Sequence, residues 1–328
     1  MESEKKAPNA VALDSILINR LRMKHLALLC ALDASHNLHQ AAETIHVSQP
    51  SATKMLQEIE RAFGFALFDR HPRGITPTDL GTEVLRYATQ ALSELGHFAS
   101  DLTIKRGGGF GHLAVGAIMA AAPDVLAHAI LRLKTQHPLV QVQVLGETSD
   151  QILPLLEQRK IDLAVGRFSS PLQHNQFNFE ELKREKLIFV ARAGHTLCDS
   201  QKLTLNDLAE WPWTLQPLPN PTRLLLEKEF SNHDMATPAN IVECSSVFAI
   251  LQLLQYGDSV ALIPEPVVRD HLRANLLCQI PLSIDGELPV FGILTRRDSP
   301  LRPTASAFIE ALRAVVADDQ AKKTRRTH

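Results

Sequence analysis

Residues 38–64 read LHQAAETIHVSQPSATKMLQEIERAFG, and this stretch decides the fold of the first eighty residues. Asn37 is an N-cap candidate for a short helix whose paired Ala41 and Ala42 let a neighbouring helix approach closely. Ile45 and Val47 close a turn, and Ser48 precedes a second helix in which Pro50 occupies the first turn, where a missing N–H is tolerated. Along that helix Ala52, Met55, Leu56, Ile59 and Phe63 form one apolar stripe. Gln49, Ser51, Thr53, Lys54 and Gln57 project elsewhere. A Gln can read an adenine edge, a Lys can neutralise phosphate, and hydroxyls can donate to backbone oxygens, so this face suits a recognition helix. An ordinary solvent-facing helix has the same polar face, and the flanking sequence must decide between them.

Downstream, Phe65–Arg70 is compact and apolar, and His71-Pro72-Arg73-Gly74-Ile75-Thr76-Pro77-Thr78 reads as a turn-rich wing. Between residues 20 and 78 there are seven Lys/Arg against five Asp/Glu, so affinity for a polyanion depends on where the charges point and on having two copies. The strings V-S-Q-P-S-A-T-K-x-x-x-x-I-E, F-G-x-x-L-F-D-R and R-G-x-x-P-T-x-x-G, spanning Arg22 to Gly81, resemble the DNA-binding domain of LysR-type transcriptional regulators. Coarser similarity runs through the rest of the chain. The resemblance implies Gln49 in base contact, with Ser48, Pro50, Ser51, Thr53 and Lys54 around the same groove, and Arg73 and Thr76 at the flanking backbone or minor groove. Thr53 and Lys54 stand where serine and arginine are more usual. Lys lacks the bidentate guanidinium fork, which favours phosphate contact over base readout at Lys54.

Residues 79–106 contain no proline, and Val84, Ala88, Ala91, Leu95, Phe98 and Leu102 recur at 4-3-4-3-4, the seam of a coiled coil. At 1.5 Å per residue this is roughly 40 Å of rod. A partner helix from a second chain is the expected occupant of the seam, with packing on its own domain as the alternative. The resemblance implies a homodimer or a homotetramer built as a dimer of dimers, double-stranded promoter DNA as ligand, and contact with RNA polymerase.

Gly107-Gly108-Gly109-Phe110-Gly111 follows a helix and precedes a strand, the reverse of a dinucleotide-binding loop, and reads as a hinge. From residue 112 strands alternate with helices to about residue 318, in an order suggesting parallel sheets with helices on both faces. The expected organisation is an extension (1–20), a winged helix-turn-helix (21–78), a linker helix (79–106), a hinge (107–111), an α/β two-lobed, periplasmic-binding-protein-like effector domain (112–318) and a basic tail (319–328). Lobe I comprises about 112–184 and 287–318, and lobe II about 185–286. Ligands of such folds sit beyond strand ends, between lobes. The candidate lining is Ala120, Ala121, Thr148, Ser149, Arg167, Pro217, Asn220, Thr222, Ser245 and Ser246. Helix N-termini there favour an anion, so a small carboxylate or acidic metabolite is the expected effector, within a wider class of carboxylates, sugar acids and sugars. The Ser and Thr residues are equally good helix caps, and Arg167 could pair with an acidic neighbour. Residues 216–223 resemble the LysR branch with regulators of sugar-binding-protein and protocatechuate-pathway genes.

Hydrophobic residues make up 45% and charged residues 21% of 328, with a net charge of −2, which excludes a uniformly basic binder. Cys30, Cys198, Cys244 and Cys278 are scattered without short-range pairing, so buried thiols in a reducing compartment are expected rather than disulfides. The N-terminus lacks signal-peptide character and no apolar run reaches 18 residues, so a cytoplasmic location without membrane contact is expected. No G-x-S-x-G, Walker or H-E-x-x-H sequence occurs, and neither a cofactor nor a metal is anticipated. Two rival readings stand beside the regulator: a solute-binding protein, and an enzyme with an accessory DNA-binding domain.

Overall fold

The structure is a computed structural model and describes residues 17–71, 74–146, 148–168, 171–297 and 299–326. Arg73 and most of the N-terminal extension lie outside the described residues. The chain divides into two compact units, Met1–Thr103 and Ile104–His328.

The first unit packs α1 (Met23–Ser35), α2 (Leu38–Thr44) and α3 (Gln49–Phe63) around Leu28, Leu29, Leu32, Ala41, Ala42, Ala52, Leu56 and Ile59. Asn37 caps α2 by accepting from the backbone N–H groups of His39 (2.8 Å) and Gln40 (3.3 Å). Strands β1 (Phe68–His71) and β2 (Gly74–Pro77) pair antiparallel as the wing. Two sequence signatures acquire causes here. Glu60 accepts the Leu67 N–H at 2.9 Å and so fixes the chain entering the wing. Thr78 donates to the Ala66 carbonyl at 3.0 Å and accepts from Gly81 N–H at 2.9 Å. A Cβ at Gly81 would collide with the Leu67 carbonyl, so only glycine lets the next helix begin that close to the wing.

That helix, α4 (Asp79–Arg106), splits the anticipated seam. Val84 and Ala88 are buried in the unit's own core, whereas Leu95, Phe98 and Leu102 are 45%, 60% and 47% exposed. The intramolecular alternative therefore applies to the first half of the helix alone.

In the second unit, lobe I is a five-stranded sheet in the order β4-β3-β5-β12-β6. Strand β3 (His112–Ala117) runs parallel to β4 (Gln141–Leu145) and β5 (Leu163–Gly166), and β12 (Phe291–Arg296) runs antiparallel to β5 and β6 (Phe177–Lys183). Helices α5 (Ala127–Gln136), α6 (Ser149–Glu157) and α11 (Pro303–Arg326) belong to this lobe. Because α11 continues to Arg326, residues 319–326 extend a helix and are not a separate tail.

Lobe II departs from the expected parallel winding. Strands β10 (Ala261–Pro264) and β11 (Leu277–Gln279) both run antiparallel to the central β7 (Leu187–Arg192). Strands β8 (Trp213–Leu215) and β9 (Ile241–Glu243) pair in parallel, and Trp213 makes a further parallel bridge to Val260. Helices α7 (Leu205–Ala209), α8 (Pro221–Asn232), α9 (Val247–Tyr256) and α10 (Glu265–Arg273) surround these strands. The chain crosses between lobes twice, between β6 and β7 and again between β11 and β12, so lobe I holds both segments that flank lobe II.

A disulfide joins Cys198 to Cys278, 80 residues apart, against the expectation of free thiols. Spacing could not reveal it. Cys278 lies on β11 and Cys198 ends a short turn after β7, and folding alone brings their Cα atoms to 6.2 Å. Cys30 and Cys244 are free.

Candidate DNA-reading surface and effector cleft

Helix α3 begins with Ser48, whose hydroxyl accepts the Ser51 N–H (3.4 Å) and contacts the Ser51 hydroxyl (2.9 Å). This cap leaves Ser48, Gln49, Pro50, Ser51 and Lys54 on the exposed face, while Ala52, Leu56 and Ile59 hold the opposite face in the core. Thr53 is half-buried and donates to the Gln49 carbonyl at 3.0 Å, so its hydroxyl is turned to its own helix. Lys54 stands 4.0 Å from Glu58 with its side chain 79% exposed, a loose pair that leaves the ammonium available to phosphate. On the wing, Thr76 is exposed and its hydroxyl lies 3.1 Å from His71 Nε2. The first turn of α3 and the wing thus carry exposed donors on short side chains, as a groove reader requires.

In the second unit a narrow cleft opens between the lobes. From lobe I it is lined by Ile118, Met119 and Ala120, which follow β3, by Thr148 and Ser149 at the start of α6, and by Arg167 after β5. Lobe II contributes Gln216, Asn220, Pro221, Thr222 and Pro264, and Glu185 lies on the first crossing segment. The charge of the cleft is internally balanced. Arg167 and Glu185 form an ion pair at 2.9 Å, with side chains only 6% and 2% exposed. Burial pushes the Glu185 carboxyl above its ordinary range, and the neighbouring guanidinium only partly offsets this. Arg167 Nε also donates to the Pro289 carbonyl at 3.1 Å on the second crossing segment. One side chain from lobe I therefore grips both connections on which lobe II is mounted. The Arg167 N–H is taken up by the Ser149 hydroxyl (3.2 Å). Three buried polar atoms at this region, Thr148 Oγ1, Glu185 Oε2 and Arg167 Nη2, have no hydrogen-bond partner among the described residues, the last being held by its ion pair alone.

Comparison with known proteins places this geometry. Residues 106–317 match the "LysR substrate binding domain", and residues 23–82 match the "Bacterial regulatory helix-turn-helix protein, lysR family". The chain belongs to the LysR family of transcriptional regulators. Similar regulators include GbpR of Azospirillum brasilense, 32% identical over 296 residues (90% of this chain and 86% of that protein). The uncharacterized HTH-type regulator YdcI of Escherichia coli is 30% identical over 300 residues, covering 92% and 97% of the two chains. Full-length CbnR, in a crystal structure with its target DNA, shares the fold with a TM-score of 0.62 at 20% identity, covering 90% of this chain and all of CbnR.

Within this LysR-type regulator, the structure brings Ala120, Thr148, Ser149, Arg167, Asn220 and Thr222 together at one cleft. It does not bring the other four candidates there. Ala121 is fully buried in the lobe I core, and Pro217 is exposed outside the lining. Ser245 and Ser246 are exposed, with the Ser246 hydroxyl capping α9 through the Ala249 N–H (3.4 Å). Asn220 acts in both capacities, lining the cleft and accepting from the N–H groups of Thr222 (2.9 Å) and Arg223 (3.4 Å). The lining residues Ile118, Met119, Glu185, Gln216, Pro221 and Pro264 were not among the sequence candidates. Among the described residues no helix is long and apolar enough to cross a membrane.

Proposed function

We propose that this LysR-type regulator binds promoter DNA as a dimer or tetramer through paired copies of α3 and its wing. In this reading a small hydroxyl-rich effector, a sugar or sugar acid, controls that binding from the interlobe cleft. The observation that carries the effector class is the pair of orphaned buried oxygens, Thr148 Oγ1 and Glu185 Oε2, beside a guanidinium that already has a carboxylate partner. An unpaired buried carboxylate oxygen asks for a donor, which a ligand hydroxyl supplies and a simple carboxylate does not. An anionic group remains compatible where the N-terminus of α6 meets the cleft, so a sugar acid satisfies both features.

Oligomerisation is supported by Leu95, Phe98 and Leu102, which leave a large apolar stripe uncovered on the second half of α4. Two recognition helices on one palindromic site would raise affinity through effective concentration, which a net basic excess of two in residues 20–78 requires.

The test is thermal-shift screening of the purified full-length protein against monocarboxylates, sugars and sugar acids, followed by footprinting with the ligand found. Stabilisation should rise with concentration as mass action demands and be lost in Thr148→Val. A monocarboxylate that stabilises as strongly as any sugar acid, and does so in Thr148→Val as well, would refute the effector class and leave the DNA-binding reading standing.

A further inference from the structure

Away from the cleft, on the far end of α8, three potential metal ligands converge. One ligand atom from each of Glu229, His233 and Asp285 lies within 4.8 Å of the others. We propose that this triad binds a divalent first-row transition ion, Zn²⁺ or a close relative such as Mn²⁺, Co²⁺ or Ni²⁺.

The spacing begins with the helix. Glu229 and His233 are four residues apart, so their side chains rise from one face of α8, and His233 is also the residue on which the helix ends. Glu229 is the unusual member. Its side chain is only 9% exposed, yet among the described residues it makes no hydrogen bond and its charged neighbour is the His233 imidazole at 3.5 Å. A carboxylate is rarely so buried unless it is paired or coordinates a metal. The third ligand arrives on a chain held in place independently. Leu282 and Ile284 pack on the lobe II core, and a Cβ at Gly286 would run into Leu225 of α8.

The donor set selects the ion. An imidazole with two carboxylates suits borderline ions, whereas Mg²⁺ and Ca²⁺ prefer all-oxygen cages. The centre of a triangle with sides no longer than 4.8 Å lies at most about 2.8 Å from each corner, against roughly 2.0–2.2 Å for Zn–N and Zn–O bonds. Exposed His233 and Asp285 can close that gap by rotamer adjustment, and water completes the coordination from solvent. A bound ion would fasten the end of α8 to the segment that returns to lobe I, while the start of the same helix lines the cleft.

The experiment uses full-length protein stripped with a chelator and dialysed. It is titrated calorimetrically with ZnCl₂, MnCl₂, CoCl₂ and NiCl₂, with Co²⁺ absorption followed in parallel. His233→Ala and Asp285→Asn alter exposed side chains, and circular dichroism without metal verifies that both fold. The expected result is one equivalent bound per chain with a rise in melting temperature, and affinity at least about tenfold weaker in each variant. Wild-type protein that binds none of the four ions, or binds one no more tightly than both variants do, would overturn the proposal. Binding elsewhere, at another histidine or a cysteine, survives both substitutions and is thereby recognised.

Discussion

Replacing Arg167 by alanine should destabilise the effector unit in a strongly pH-dependent way. In the native chain the guanidinium stands 2.9 Å from Glu185, and both side chains are almost wholly removed from solvent. Removing one partner of such a pair costs about 3–5 kcal/mol, because the remaining charge is left buried. Glu185 has an escape, since it can take up a proton. Its carboxyl already sits above the ordinary 4.5 even beside Arg167, and it rises further without it. Above that ordinary value the unfolded chain holds Glu185 ionised while the folded variant holds it protonated. The native state then binds more protons, and stability falls as pH rises by about 1.36 kcal/mol per unit until the folded carboxyl itself ionises. The loss grows as pH rises above 4.5, and the cost of a broken buried pair, about 3–5 kcal/mol, sets its ceiling. Near pH 5 the same term is below about 1 kcal/mol, leaving mainly the lost Nε bond to Pro289. Urea unfolding followed by tryptophan fluorescence reads this unit, because both tryptophans, Trp211 and Trp213, lie in lobe II. Adding Glu185→Gln to the Arg167→Ala background should flatten the pH dependence. A penalty that does not change with pH, or an equal slope in the double variant, would refute the reasoning.

Three further outcomes follow from the same structure. Gln49→Ala should reduce discrimination for operator DNA by about 1–3 kcal/mol while dimerisation is unchanged, and normal footprinting of the variant would show that the recognition register is misplaced. Leu95→Asp changes a side chain 45% exposed in the single chain, so it should cost the folded unit no more than about 0.5 kcal/mol yet separate dimers in sedimentation; an intact dimer would remove α4 from the interface. Cys198→Ser opens a covalent link spanning 80 residues, for which loop entropy gives about 4.5 kcal/mol as an upper figure. Lobe II should melt earlier in this variant and wild type should match it after reduction, whereas equal melting of oxidised wild type and variant would mean that the link does not constrain unfolding.

How legible all this was depends on how local the determinants are. Helix α2 with its Asn37 cap, helix α3 and the wing could be read from sequence because each rests on residues within a turn or two. The α4 seam was legible as a pattern, but a 4-3 repeat does not say which partner fills it, and Val84 and Ala88 are claimed by their own domain. In lobe I, where β3, β4 and β5 run parallel, the rule that ligands sit beyond strand ends located Ala120, Thr148, Ser149 and Arg167 correctly at the cleft. In lobe II the central sheet is antiparallel, so adjacent strand ends point opposite ways and the rule loses its footing. Pro264, at the end of β10, lines the cleft instead of Ser245 and Ser246. Glu185 escaped because it lies on a crossing segment with no periodic pattern, 18 residues from the arginine it pairs with.

Arg167 resolves an ambiguity that sequence left open, because its two readings are the same fact. It pairs with an acidic neighbour, and that neighbour lies on the first segment that crosses between the lobes. Through Glu185 and the Pro289 carbonyl one guanidinium holds both segments that carry lobe II. The second interlobe tie behaves differently. Asp124, beyond β3, accepts from Arg269 of α10 at 2.6 and 3.0 Å. Burial tends to raise the Asp124 carboxyl, but Arg269 and Lys183 outweigh it and hold the group below its ordinary 3.8. A lowered carboxyl contributes stability above its unfolded value and loses it only as pH falls through the folded one, so this tie is constant across the physiological range. Of these two ties, only the one at the cleft includes an acceptor oxygen without a hydrogen-bond partner among the described residues. The variant that tests a role for Glu185 in the proposed effector response is Glu185→Gln, in which effector affinity should fall while the Asp124–Arg269 tie remains intact.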